Sequence, residues 1–79
     1  MAKHSIRSPV GGSVWTHSVG VGQRVVAGTT LLICEVMKTE FPIETPVDGE
    51  VTWLAPCGQT LEADDLVAIV DGETKPVRP

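Results

Sequence analysis

The sequence predicts an all-β domain, a sandwich or barrel assembled from two similar halves. Helical periodicity is absent, because no window of a dozen residues keeps apolar side chains at helical spacing without an interrupting glycine or proline. Short runs of β-forming residues alternate with turn residues instead. Two segments of the chain also repeat each other. With 79 residues, the chain is expected to form a single domain over 1–79, with a core at about 6–71 and a flexible tail at 72–79.

Six runs have the length and composition of strands, and Ile6 is expected to begin an earlier one. The runs span residues 13–16, 24–26, 31–36, 40–44, 50–54 and 66–70. Segments rich in Gly, Pro and Asp separate them, at 9–12, 20–22, 27–28, 46–49, 56–58 and 63–65. This spacing of short strands and turns is typical of all-β sandwiches and barrels.

An internal repeat predicts quasi-two-fold symmetry. Residues 8–14 match 45–51, residues 22–27 match 58–63, and residues 31–33 match 66–68 or their neighbours. The offset drifts from 37 to 36 to 35, which requires two one-residue gaps. Neither half can bury its apolar face alone, so we expect the halves to pack on each other.

The two halves meet at residues 34–41, where strand-like runs flank Met37 and Lys38 without a glycine or proline. A tight hairpin at Met37-Lys38 would join them, although it lacks the Asn-Gly or Asp-Gly signal that two-residue turns prefer. A turn that forgoes the favoured residues can mark a place where function overrides local stability. A simpler interpretation stays open, in which Met and Lys are merely tolerated in an open turn.

The charge distribution singles out the same lysine. The net charge is −4, which disfavours nucleic acid as a partner. All ten acidic residues lie between Glu35 and Glu73, and Lys38 is the only basic residue between Val25 and Thr74. No apolar run approaches the roughly 20 residues of a membrane helix, and the N-terminus has no signal-peptide core. We therefore expect a cytoplasmic protein without a membrane partner.

The two cysteines, Cys34 and Cys57, are interpreted as small thiols, with a disulfide left possible. A metal site is not expected. The chain contains no C-x-x-C, and His4 and His17 stand far from both cysteines in sequence.

The residues around Lys38 form a recognisable pattern. Residues 22–38 read Gly-x-x-Val-x-x-Gly-x-x-Leu-x-x-Cys-Glu-Val-Met-Lys, and residues 46–51 read Pro-Val-Asp-Gly-Glu-Val. From about residue 8 to residue 70, this resembles the biotinyl-attachment motif of biotin carboxyl carrier domains. That family usually reads Glu-Ala-Met-Lys-Met at the site. Here Val36 replaces Ala, Thr39 replaces Met or Leu, and Cys34 stands where Ile or Val is commoner.

The resemblance implies a barrel-sandwich hybrid fold, a flattened barrel of two four-stranded antiparallel sheets. The lysine hairpin would lie at one end and both termini near the other. It also implies that Lys38 carries covalently attached biotin, with Met37, Thr39 and Glu35 beside it. Glu35 and Glu40 would either orient a partner enzyme or be solvated turn charges.

The same resemblance implies a carrier that is not itself an enzyme. Biotin on Lys38 would shuttle a carboxyl group between the active sites of biotin carboxylase and carboxyltransferase, after loading by biotin protein ligase. The lack of an Ala/Pro-rich linker favours a stand-alone carrier protein.

Three other interpretations remain. A lipoyl carrier of a 2-oxoacid dehydrogenase-type complex shares the fold, but such domains typically place Asp-Lys-Ala at the tip, so Met37 favours biotin. An unmodified adaptor module is the second, and the isolated position of Lys38 counts against it. A small enzyme is the third, and the chain lacks an acid/base or nucleophile constellation for it.

Overall fold

The computed structural model confirms the all-β fold, with eight strands in two four-stranded antiparallel sheets. It describes residues 2–72, and no helix occurs within them. The strands are β1 (Ala2–Arg7), β2 (Gly12–His17), β3 (Arg24–Val25), β4 (Thr30–Val36), β5 (Thr39–Glu44), β6 (Gly49–Leu54), β7 (Thr60–Leu61) and β8 (Leu66–Gly72). The described residues therefore contain no helix that is long and apolar enough to cross a membrane.

The strand order confirms the quasi-two-fold symmetry. The first sheet has the order β1-β8-β6-β3, and the second has the order β5-β4-β2-β7. Each strand of one sheet thus has a counterpart at the same place in the other sheet. Strand β1 corresponds to β5, β8 to β4, β6 to β2, and β3 to β7.

The turns repeat as well as the strands. The buried hydroxyl of Ser8 donates a hydrogen bond to the carbonyl oxygen of Val10, and the buried hydroxyl of Thr45 donates one to Val47 at 2.7 Å. Each hydroxyl closes a Pro-Val turn on its own backbone, a local bond that Ser and Thr form readily. The two Pro-Val-x-Gly motifs therefore build equivalent corners.

Two glycines occupy a second pair of matching turns. Gly22 and Gly58 have φ values of 94° and 89°, in the left-handed region that glycine adopts without steric cost. The amide of Gly22 donates to Val51 and that of Gly58 donates to Val14, both at 2.7 Å. The expectation that these glycines are equivalent is confirmed.

The structure corrects one part of the repeat. Thr16 of β2 pairs with Ile33, and its counterpart Trp53 of β6 pairs with Ile69. Ile33 therefore corresponds to Ile69, so residues 31–33 match 67–69, the neighbours of 66–68 that the sequence analysis left open, and the offset here is 36 and not 35. Both segments are almost uniformly apolar, so their sequences alone could not fix the register.

Two strands differ from the sequence-based expectation. Ile6 lies near the end of β1, which starts four residues earlier at Ala2. Strand β7 was not predicted because Thr60–Leu61 is too short to show alternation. Strands also extend slightly beyond the core expected at 6–71, to Ala2 and to Gly72, which is buried. The rest of the expected tail, 73–79, lies outside the described residues.

The core fills the space between the two sheets. It consists of the apolar residues Ile6, Val14, Val25, Leu31, Leu32, Cys34, Ile43, Val51, Leu54, Ala55, Leu61, Val67, Ala68 and Val70. Burying each Val, Leu or Ile side chain contributes about 1.5–3 kcal/mol before the entropy cost of folding. Both halves supply these residues, so neither sheet has a covered face without the other.

The first and last described residues, 2 and 72, lie away from the hairpin that joins β4 and β5. Ala2 pairs with Gly72, and Gly72 also pairs with Gly49. Gly49 follows the end of β5 by a short turn, whereas the hairpin lies at the beginning of β5. Residues 2 and 72 are thus at the end of the molecule opposite the hairpin, and the termini for which this was expected, 1 and 79, lie outside the described residues.

Candidate functional site

The hairpin between β4 and β5 has a two-residue tip. Val36 pairs with Thr39, which leaves Met37 and Lys38 as the turn residues. Their φ values are 51° and 66°. Positive φ at both central positions is the geometry of a type I′ turn, whose twist matches that of the flanking strands. The tight hairpin predicted at Met37-Lys38 is confirmed.

This tip is made from residues that do not favour its backbone conformation. A residue with a side chain pays about 1–2 kcal/mol to enter the left-handed region. The other positive-φ positions within residues 2–72 are held by Gly22, Gly28, Gly58 and Asp64, which are residue types that adopt it more readily. The tip therefore retains two long side chains at a cost in local stability, which identifies it as a candidate functional site.

The tip side chains are open to solvent. Met37 is 93 % exposed, and Lys38 and Thr39 are also exposed. None of the side-chain hydrogen bonds within residues 2–72 involves Lys38. The amine of Lys38 is thus free to react with a group brought to it from outside.

The base of the hairpin is anchored in the core. Directly behind the tip, Cys34 is 1 % exposed and pairs with the half-buried Phe41. Two residues further along the strands, Leu32 pairs with Ile43, and both are buried. Burial raises the pKa of the Cys34 thiol above its ordinary value, so the thiol stays neutral and behaves as a small apolar residue. The exposed tip therefore stands on a rigid support.

A glycine on β2 completes this support, and the sequence analysis did not assign it a role at the site. A Cβ atom at Gly12 would collide with the carbonyl oxygen of Glu35 on β4. Gly49 is its counterpart, where a Cβ atom would lie 2.6 Å from the Cα atom of Gly72. The repeated Pro-Val-x-Gly motif was the signal for both positions, because its glycine lets neighbouring strands approach closely.

Two carboxylates flank the tip. Glu35 of β4 lies opposite Glu40 of β5, and both are exposed. The pair closing a two-residue hairpin is hydrogen-bonded, so the next pair is a non-hydrogen-bonded one, with Cα atoms about 4.5 Å apart. Like charges facing each other at this distance repel. Of the residues predicted for the site, Glu35, Met37, Lys38 and Thr39 therefore lie together at one end of the molecule.

The remaining candidates do not join the site. Cys34 is buried in the hairpin base and Cys57 is exposed in the turn before β7, and both thiols are free. The possible disulfide between them is therefore not formed. No group of three or more His, Cys, Asp or Glu side chains among residues 2–72 is placed to hold a metal ion.

Known proteins resemble this chain in both sequence and fold. Over 67 residues it is 31 % identical to the urea amidolyase of Saccharomyces cerevisiae, which covers 84 % of this chain and 4 % of that protein. Over 47 residues it is 40 % identical to the mitochondrial methylcrotonoyl-CoA carboxylase subunit alpha of Dictyostelium discoideum, covering 60 % of this chain and 7 % of the relative. The chain thus spans a small part of the relatives that it matches.

Solved structures give the same result. The urea carboxylase of Kluyveromyces lactis superposes with a TM-score of 0.83 at 32 % identity, over 89 % of this chain and 6 % of that one. A single-chain, multi-domain long-chain acyl-CoA carboxylase superposes with a TM-score of 0.82 over 91 % of this chain and 7 % of that one, and at 19 % identity it supports the fold alone.

The family comparison covers most of the chain. Residues 4–70 match the family described as "Biotin-requiring enzyme". This range contains all of the second sheet, with the hairpin tip, and most of the first. The chain therefore belongs to the biotin-requiring enzyme family of biotinyl and lipoyl attachment domains.

Proposed function

We propose that this chain is the biotin carrier of a biotin-dependent carboxylase, with biotin attached to the Nζ atom of Lys38. The observation that carries the proposal is the placement of Lys38. Its amine is exposed, forms none of the side-chain hydrogen bonds within residues 2–72, and stands on a turn whose backbone geometry does not favour lysine. Selection for stability alone would favour Asn-Gly at this place.

Lys38 suits the attachment of an acyl group because several enzymes must reach the carrier amine, and this side chain is exposed. A lysine amine is protonated in neutral water, so a ligase has to remove a proton before the Nζ atom attacks the carbonyl carbon of activated biotin. The new amide removes the positive charge of Lys38. When attached, biotin supplies a group that carries a carboxyl unit between two active sites.

The rest of the hairpin positions this arm. The strands hold the Cα atom of Lys38 at a fixed distance from the core through Cys34 and Leu32. The side chain beyond it is a flexible four-methylene arm. A fixed base with a mobile arm suits delivery to separate active sites, because the docking partner meets the same rigid surface each time.

The carboxylase assignment draws on the names of the relatives. The Dictyostelium discoideum and Kluyveromyces lactis proteins named above are called carboxylases, and the Saccharomyces cerevisiae protein is called urea amidolyase. We accordingly propose three partners, namely biotin protein ligase, biotin carboxylase and carboxyltransferase, and no catalysis by the chain itself. A lipoyl carrier has the same fold, and the experiment below distinguishes the two.

The test is coexpression of the chain with a biotin protein ligase, followed by mass spectrometry of the intact protein and its peptides. We expect a mass gain of one biotinyl group, located on Lys38. The Lys38→Arg variant keeps the charge but cannot form the amide, so it should gain nothing. A parallel incubation with a lipoate ligase measures the competing modification.

Two results would contradict the proposal. Labelling on Lys3, which is exposed on β1 at the opposite end, would show that the hairpin is not read. Preferential incorporation of lipoate would replace the biotin carrier with the lipoyl carrier. The Lys3→Arg variant is the matched control, and it should be loaded like the unmodified sequence.

A further inference from the structure

The thioether of Met37 projects into solvent beside the proposed attachment amine. Its side chain is 93 % exposed, whereas the other exposed large apolar residues within 2–72 range from 37 % to 64 %. Such a side chain contributes almost no burial to the free protein. The backbone φ of Met37 is 51°, which is unfavourable for a residue with a side chain, so local conformation does not explain a methionine at this position either.

We propose that Met37 is an oxidation site, and that its sulfoxide slows loading of Lys38. This inference rests on the proposed carrier function and adds a regulatory modification to the same hairpin. The oxidant is a hydroperoxide such as hydrogen peroxide. Methionine oxidation follows exposure of the sulfur, and Met37 is the most exposed large apolar side chain in the described part of the chain.

The chemistry needs no other group from the protein. The sulfur lone pair attacks one oxygen of hydrogen peroxide, the O–O bond breaks and an S–O bond forms. After proton transfer the remaining oxygen leaves as water. Sulfur loses two electrons and the peroxide gains two. The sulfoxide is polar and chiral, and methionine sulfoxide reductases return it to the thioether.

The modification should change recognition and leave the fold intact. Met37 is next to Lys38, so an enzyme that encloses the amine has to cover the Met37 side chain as well. A thioether adapts to an apolar surface, and a sulfoxide brings an oxygen that such a surface leaves without a hydrogen bond. The pairing of Val36 with Thr39 fixes the base of the turn, so the modified side chain stays beside the amine.

Other oxidisable groups can be separated from Met37 by chemistry. Cys57 is exposed, and peroxide will oxidise its thiol too, whereas Cys34 is buried with a raised pKa and is protected. Dithiothreitol reverses sulfenic acids and disulfides but does not reduce methionine sulfoxide. Reduction after peroxide treatment therefore removes the reversible thiol products, and oxidation of the chain's other methionine, Met1, is common to the Met37→Leu control.

The experiment compares initial rates of ligase-catalysed biotin incorporation before and after peroxide treatment, followed by dithiothreitol. Peptide mapping should place one added oxygen atom on Met37. The loading rate should fall roughly tenfold, in line with losing burial of one methionine side chain. Treatment with methionine sulfoxide reductases should restore the rate, and the thermal unfolding midpoint should not move.

The Met37→Leu variant is the matched control, because leucine keeps an apolar side chain without sulfur. Its rate after peroxide, relative to its own untreated rate, should stay unchanged. The inference is overturned if Met37 resists peroxide, if protein oxidised at Met37 loads at the untreated rate, or if Met37→Leu loses rate equally. No loading of the untreated protein would instead overturn the carrier function on which the inference rests.

Discussion

Lys38 occupies a backbone conformation that its own side chain makes unfavourable. At a φ of 66°, glycine would relieve about 1–2 kcal/mol of steric cost and give back part of it through the greater entropy of the unfolded chain. We therefore expect Lys38→Gly to raise the free energy of unfolding by about 0.5–1 kcal/mol. Urea unfolding of the two purified proteins measures this difference.

The control for this prediction is Lys38→Ala. Alanine removes the charge but keeps the Cβ atom, so the stability should stay within about 0.5 kcal/mol of the original protein. If Lys38→Gly were less stable than Lys38→Ala, the turn would not be strained at this residue. Both variants should lose biotin loading, because neither has an amine.

Lys38 could be singled out from the sequence because the residues around it resemble an attachment motif and because it differs from what a turn normally contains. Its isolation from other basic residues and the flanking strand-like runs were both visible there. The support at Gly12 was not assigned to the site, because the contact with Glu35 joins segments far apart in the chain. Only the pairing of β2 with β4 brings those residues together.

At the scale of the element, the hairpin strand β5 forms an edge of its sheet. Pro42 pairs with Ile33, and this pair lies between two pairs in which β5 is hydrogen-bonded to β4. The nitrogen of Pro42 therefore faces the free edge of the sheet. A proline at this place removes a donor that another chain could use. Glu40 and Glu44 are exposed on the same strand and add repulsion. The strand carrying the candidate site is thus protected against edge pairing.

Replacing this proline should make the protein associate with itself. Pro42→Val restores an outward N–H group and raises β-propensity, so we expect oligomers at high concentration while the fold persists. Size-exclusion chromatography with light scattering measures the change. Ser5→Val is the matched control, because Ser5 is the exposed counterpart of Pro42 on edge strand β1 and already has its N–H group.

The control distinguishes hydrogen bonding from hydrophobicity. If Ser5→Val associates as strongly as Pro42→Val, the added apolar surface causes the effect and the proline is not the protection.

The short strand β7 shows the limit of sequence prediction at this scale. Its two residues are a strand only because β2 supplies a partner, and no pattern within Thr60–Leu61 could indicate it.

At the scale of the whole molecule, the repeat places Cys34 and Val70 at equivalent positions. Cys34 pairs with Val14 and Val70 pairs with Val51, one in each sheet, and both are almost fully buried. The sequence predicted two packed halves, but it could not fix this pairing, because the apolar runs allow a shift of one residue. The cross-strand partners set the register, since a one-residue slip would turn the buried face outward.

Because of this burial, the protein should lose stability at alkaline pH through Cys34. Burial raises the pKa of the folded-state thiol above its ordinary value of 9.0. The unfolded chain therefore releases this proton at lower pH than the folded protein does. The stabilising contribution is fully present below the unfolded-state pKa and is lost as the pH rises through the folded-state pKa. The chain has no tyrosine, so no phenol titrates in the same range.

The Cys34→Val variant tests this. It gives position 34 the same side chain as its counterpart in the other half, Val70. Its free energy of unfolding should decline less between about pH 8 and about pH 10 than that of the original protein, because no thiol titrates at position 34. Valine is larger than cysteine, so the stability at neutral pH can also change through packing, and the comparison uses the pH dependence alone. Cys57→Ser removes the exposed thiol and should decline like the original protein. Equal declines in Cys34→Val and the original protein would mean that burial of Cys34 does not cause the loss.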